Sequence, residues 1–247
     1  MMNADNLRKI DEIMVKIEDR SRRLNASDPI ATCPGWSVTD LTEHLAMVTS
    51  RMRIRIETNS DPDPTTIASS APLGMDSSSW LARSYLELRN TLLAHDLDDP
   101  AWNWTGKNET VGWYVRRLTH ELAIHLVDFE TASPSPAPPS SLGIDTPLAA
   151  DGIDELLTVF LPTRAKPKDP TFGRHVLVLD PSDSVRTPWT LELSGDTIAL
   201  VESSSRVDAR VEGTSLELYL FGWNRPTENL NISGSMELIR FFQDLPR

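Results

Sequence analysis

One stretch divides this chain more sharply than any other. Residues 131–141, "TASPSPAPPSS", are nearly all Pro, Ser and Ala. Proline lacks a backbone N–H and biases the residue before it away from helical dihedrals, so such a run cannot continue a helix and reads as a semi-extended linker. Before it, apolar residues recur at helical steps; after it, short apolar and alternating runs appear. A chain of 247 residues is long enough to give each side its own core. The expected organisation is a helical domain over 1–132, a linker over 133–145 and an α+β domain over 146–247.

The first half predicts four helices. In "NADNLRKIDEIMVKIEDRSRRL" the residues Leu7, Ile10, Met14, Ile17 and Leu24 make one helical face. A Pro34-Gly35 turn follows, then Ser37 as a cap with Asp40 three residues on, and a stripe of Leu41, Leu45, Val48 and Met52. A Pro-, Asp- and Ser-rich loop from about Asn59 to Ser77 leads to a third helix carrying Leu81, Leu88 and Leu92. The fourth begins near Glu109 and contains "RRLTHELAIHLVDFE", residues 116–130. Four amphipathic helices with one long connection point to a four-helix bundle.

After the linker, "DGIDELLTVFL" predicts one more helix and "RHVLVLDP" a strand. "WTLELSGDTIALVE" predicts a hairpin turning at Gly195-Asp196, and "SRVDARVEG" a further strand. "TSLELYLFGW" reads as a short helix stopped by Pro226, and "GSMELIRFFQDL" as a last amphipathic helix. The second half is therefore α+β.

Charge narrows the function. A net charge of -12 disfavours non-specific attraction to nucleic acid or an acidic membrane surface. The N-terminus is charged and amphipathic, and no run approaches the ~20 apolar residues of a membrane span, so a cytoplasmic protein is expected. A single cysteine, Cys33, rules out an intrachain disulfide and reads as a small packed residue.

The fourth helix carries H-E-x-x-x-H, one residue longer than the H-E-x-x-H of zinc proteases. At about 100° per residue, Val111, Val115, Leu122, His125 and Phe129 all fall within about 60° of Leu118, forming the buried stripe. Glu121 lies on its flank and His120 points the other way, at about -160°. Glu121 and His125 thus share a face at i and i+4, and His44 projects inward from the second helix beside Leu45 and Val48. Two inward histidines and one carboxylate form the His2Glu set of a catalytic metal site. Spacing leaves the plainer alternative open: histidines hydrogen-bonded in a core, with Glu121 paired to Arg117. Asp128, one turn beyond His125, reads either as a partner that orients it or as a boundary residue facing solvent. His95 and His175 read as structural.

"CPGWSVTDLTEHLA", residues 33–46, together with "RRLTHELAIHLVDFE", resembles the N-terminal domain of the mycothiol-dependent maleylpyruvate isomerase family of actinobacteria, itself similar to the DinB-like four-helix metalloproteins. "VEGTSLELYLFGWNRP" and "NISGSMELIRFFQDL" look like the second domain of that family, an arrangement similar to sterol-carrier-like domains. The resemblance implies a divalent metal, typically zinc, on His44, Glu121 and His125, and mycothiol as a thiol cofactor. It also implies a catalytic Arg225, beside which stands the plainer reading of an arginine that closes a helix end. The implied chemistry is a metal-activated thiol that adds to a small electrophile, isomerising a cis enone to trans or remaining attached as in an S-transferase. The expected partners are that electrophile and a low-molecular-weight thiol, with the protein a monomer or weak homo-oligomer. A non-catalytic ligand-binding protein of the same fold, and a DinB-like metalloprotein using another thiol or water, are the competing readings. A dicarboxylate substrate would call for a second basic group, drawn from Arg51, Arg55, Arg116 and Arg117.

Overall fold

Ser37 begins the helix that matters most for the site. Its hydroxyl oxygen accepts from the Asp40 N–H at 3.2 Å while Asp40 Oδ2 accepts from the Ser37 N–H at 2.8 Å, a reciprocal pair that satisfies two otherwise orphaned donors. The computed structural model of the chain describes residues 4–164, 172–184, 187–195 and 197–246. These divide into two compact units, Met1–Pro138 and Pro139–Arg247.

The first unit contains α1 (Ala4–Arg23), α2 (Val38–Thr58), α3 (Ser77–Ala94) and α4 (Val111–Glu130). α2 packs on α3 and on α4, and α1 on α4 and α3, which closes a four-helix bundle. Its interior holds most of the set expected from periodicity: Leu7, Ile10, Met14 and Ile17 from α1, Leu41, Leu45 and Met52 from α2, Leu81, Leu88 and Leu92 from α3, and Val111, Leu118, Leu122 and Phe129 from α4 are all buried, whereas Leu24, Val48 and Val115, expected on the same faces, are half-buried. α4 starts at Val111, the first residue of its apolar stripe and two beyond the expected start near Glu109, because Thr110 caps it, the hydroxyl oxygen accepting from the Trp113 N–H at 3.3 Å. A second long connection, 95–110, is tied back on itself by a bridge between Pro100 and Thr110 and by Asn103, whose side chain donates to the Lys107 carbonyl at 2.9 Å.

The second unit opens with α5 (Thr146–Glu155), whose last turn widens into a π-helical stretch at Leu156–Phe160 before α6 (Leu161–Arg164). A five-stranded sheet follows: β1 (His175–Pro181), β2 (Trp189–Leu193), β3 (Ile198–Val201), β4 (Ala209–Gly213) and β5 (Asn231–Gly234), in spatial order β3-β2-β1-β4-β5. β1 is central, antiparallel to β2 and parallel to β4, with Leu177 opposite both Leu191 and Ala209. The four buried side chains Val176 to Leu179 suit a strand covered on both faces, each contributing about 1.5–3 kcal/mol by leaving water. α7 (Ser215–Gly222) and α8 (Met236–Gln243) pack against β1 and β4.

The β2–β3 hairpin forms as expected, with Ser194 donating to the Thr197 carbonyl at 2.9 Å; Asp196 of its turn lies outside the described residues. β5 has no counterpart in the sequence reading. Asn-Ile-Ser-Gly is short and polar and becomes a strand by pairing at the sheet edge with β4, Ile232 opposite Val211. Among the described residues, no helix is long and apolar enough to cross a membrane.

Candidate metal centre

α2 and α4 bring three side chains together from separate parts of the chain. His44 Nε2 lies 3.0 Å from Glu121 Oε1, and His125 Nε2 lies 3.5 Å from the same oxygen. The two imidazoles meet edge to face with centroids 5.1 Å apart. The ligand atoms of His44, Glu121 and His125 all fall within 4.8 Å of one another. A tetrahedral ion held at about 2.0–2.2 Å spaces its ligand atoms by about 3.3–3.6 Å, so this donor set fits a divalent ion of zinc's size.

Each of the three has further partners. Arg117, its side chain 2% exposed, donates from Nη2 to Glu121 Oε2, which leaves Oε1 facing the histidines. His125 Nδ1 lies 2.8 Å from Asp128 Oδ2, which leaves Nε2 facing Glu121. Asp128 is fully buried, and accepts from Thr32 Oγ1 at 2.6 Å and from Cys33 Sγ at 3.5 Å. Trp36 stands against His44, ring centroids 4.9 Å apart.

The electrostatics follow from these contacts. Burial works against ionisation of Glu121, but the Arg117 guanidinium and the two imidazoles outweigh it and hold the carboxyl well below its usual range. Burial likewise opposes protonation of His125, and Asp128, Cys33 and Glu121 together push it well above the usual imidazole value.

Several expectations change here. His120 does turn away from His125, but it is buried, 1% exposed, rather than facing solvent. α4 has both α1 and α2 as neighbours, and its residues 122–130 are buried on every side, so burial is not confined to one stripe. Asp128 is a buried hydrogen-bonding partner of His125 and not a solvent-facing boundary residue. Glu121 does pair with Arg117, and does so together with the histidines rather than instead of them. Of the arginines weighed as a second basic group, Arg117 is taken by Glu121. Arg55 is taken by Asp61, at 2.7 and 2.9 Å, and lies over Trp102 and Trp104. His95 bonds the Thr91 carbonyl at 2.8 Å, and His175 stands 4.0 Å from Asp208. Thr32 was invisible to spacing arguments, since it lies in a turn and its partner lies 96 residues on, in α4. Asp128 had one signal, its i and i+3 relation to His125.

Arg225 lies in the second unit. Its backbone N–H donates to the Leu220 carbonyl at 2.8 Å and its Nη1 to the Trp223 carbonyl at 2.6 Å, so it does close the end of α7.

Two family models match the chain, "Mycothiol maleylpyruvate isomerase N-terminal domain" over residues 22–130 and "MDMPI C-terminal domain" over 147–237. The chain belongs to the mycothiol maleylpyruvate isomerase family. The first of these spans includes His44, Glu121 and His125, and the second includes Arg225. Among solved structures, this family member is similar to a mycothiol-dependent maleylpyruvate isomerase, with a TM-score of 0.61 and 11% identity over 94% of this chain and 96% of that one. It is also similar to a histidine-to-alanine variant of that isomerase, with a TM-score of 0.59 and 10% identity over the same shares. At such identities the likeness is one of fold. No curated protein sequence matches the chain.

Proposed function

We propose that this protein is a metal- and mycothiol-dependent enzyme, similar to maleylpyruvate isomerase, that isomerises or S-conjugates a small electrophile. The observation that carries the reading is the convergence of His44 Nε2 and His125 Nε2 on Glu121 Oε1, in a chain that matches both domain models of that family. A divalent metal at this triad, zinc by the chemistry of the donors, would supply the Lewis acidity that turns a bound thiol into a thiolate at neutral pH. The residues' own work is to present that donor set. Arg117 holds one oxygen of Glu121 and keeps the carboxylate ionised, so the other oxygen is available as a ligand. His44 is held in place beside Trp36. We assign to Arg225, on the family resemblance, the role of stabilising negative charge on the substrate, for which a fixed positive charge and a fork of donors are suited.

The test is metal analysis of purified protein followed by turnover of maleylpyruvate and simple electrophiles with and without mycothiol. The expected result is about one zinc per chain, loss of that zinc in His44→Ala, and turnover that requires both metal and mycothiol. A wild type that acquires no zinc, with His44→Ala indistinguishable from it, overturns the proposal. Turnover that is unchanged without any thiol overturns the mycothiol part alone.

A further inference from the structure

Both histidines of the candidate centre are approached from behind by one short turn. Residues 29–37 close on themselves: Pro29 bridges to Ser37, Ile30 N donates to the Trp36 carbonyl at 2.9 Å, Cys33 N to the Ile30 carbonyl at 3.0 Å and Trp36 N to the Cys33 carbonyl at 3.0 Å. Gly35 takes a φ of +86°, a conformation open to glycine without a steric cost. The turn is fixed to α4 at two places, by Ala31 N donating to Thr131 Oγ1 at 3.1 Å and by Thr32 and Cys33 donating to the carboxylate of Asp128. From the same turn, Trp36 stands against His44.

We infer that Asp128 is a positioning residue for His125, and that Thr32 and Cys33 of the 29–37 turn hold it in that role, so that this turn sets how tightly the site binds its metal. The inference rests on the metal reading above. Its physical content is directional. An imidazole can offer Nε2 to a metal when its other nitrogen carries the proton, and a carboxylate 2.8 Å from Nδ1 keeps the proton there. It also fixes the rotation of the ring about its own bond, because Asp128 is itself immobilised: Oδ1 by Thr32, Oδ2 by Cys33, with no exposure to water that could compete. A carboxylate without those two donors could rotate and take the imidazole with it. The cost of burying Asp128 is offset by its hydrogen bonds to Thr32, Cys33 and His125 among others, an arrangement that packing alone does not require.

The test is zinc affinity of the full chain by competition with a chelator, read beside the thermal midpoint of the metal-free protein. Asp128→Asn presents an amide where a carboxylate stood, and is expected to weaken zinc binding about 10–100-fold, the range for losing such an outer partner. Thr32→Val keeps the shape, removes one donor to Asp128, and is expected to weaken binding about fivefold, the equilibrium worth of one hydrogen bond, beside a lowered metal-free midpoint, because a buried carboxylate oxygen loses its partner. In the zinc-loaded wild type, the His125 Nδ1 proton is expected as a slowly exchanging downfield NMR signal that Asp128→Asn loses. Wild-type affinity in both variants, while His44→Ala abolishes binding, overturns the inference and leaves the metal reading standing. A metal-free midpoint that falls in Thr32→Val with unchanged affinity also overturns it, since the role is then structural. If Asp128→Asn fails to fold, Thr32→Val decides alone. A wild type that takes up no zinc overturns both, and is recognised because His44→Ala then changes nothing.

Discussion

Glu121 keeps its charge in a buried setting because Arg117 is buried beside it. Taking either ion alone out of water is costly, and the pair is tolerable because each compensates the other. Arg117→Met should therefore leave a buried carboxylate without its main counter-charge and destabilise the metal-free bundle by about 3 kcal/mol, measured by urea unfolding. Saturating zinc should recover part of that loss if the ion binds the same carboxylate. A second ion pair far along the bundle makes a cleaner pH experiment. Asp11 accepts from Arg89 Nε and Nη2 at 2.8 and 2.9 Å and from the Tyr85 hydroxyl, tying α1 to α3. Partial burial works against ionisation of Asp11, but Arg89 and Tyr85 outweigh it and hold its pKa below the ordinary value. A lowered carboxylate pKa gives stability that is complete above the unfolded-state value, about 3.9, and is lost as pH falls through the folded one. The stability gap between wild type and Asp11→Asn should accordingly be constant from neutral pH down to about 5 and shrink below about 4. A gap that persists unchanged into acid would show that the carboxylate's charge contributes nothing.

At the scale of elements, the edge of the sheet is the most exacting place in the second unit. Gly234 ends β5 with a φ of +88°, and a Cβ placed there would lie 2.2 Å from the Asp208 carbonyl oxygen and 2.8 Å from Ala209 Cα. Both contacts are backbone, so nothing nearby can rotate out of the way. Gly234→Ala should cost about 3 kcal/mol by the usual scale for a strained dihedral combined with overpacking, seen as a lowered unfolding midpoint. Gly222 gives a useful comparison. Its Cβ would meet Leu156 Cδ2 at 2.7 Å, the far end of a side chain in the π-helical stretch, so Gly222→Ala should cost about 1 kcal/mol. Elements also differ in how well the sequence announces them. α2 is written in full, from the Ser37 and Asp40 cap to the stripe at Leu41, Leu45 and Met52. β5 is not, because an edge strand of polar residues is stabilised by hydrogen bonds to β4 and not by any pattern of its own.

At the scale of the molecule, the two units meet in sequence at Pro138 and Pro139, within an exposed run of small residues. Such a segment is a natural place for proteolysis. Limited digestion should cut within 134–141, and zinc loaded at the proposed site should stay with the N-terminal fragment, because His44, Glu121, His125, Arg117 and Asp128 all lie in Met1–Pro138. Mass spectrometry of the fragments with metal analysis checks both statements.

The sequence by itself determined the two textures, the four bundle helices and the rotation of each about its own axis. That was enough to turn His44, Glu121 and His125 inward and His120 away from them, since apolar periodicity reports which way a side chain points from its own helix. It could not say what stands across from that side chain. The tertiary structure alone decided that Arg117 and the histidines share Glu121, that Asp128 is buried behind His125 rather than facing water, and that Thr32 and Cys33 reach it from 96 and 95 residues away. The reach of Thr32 and Cys33 leaves no trace in local spacing, because a hydrogen bond from a turn to a helix so far along the chain depends on how the two pack, and packing is a property of the whole bundle.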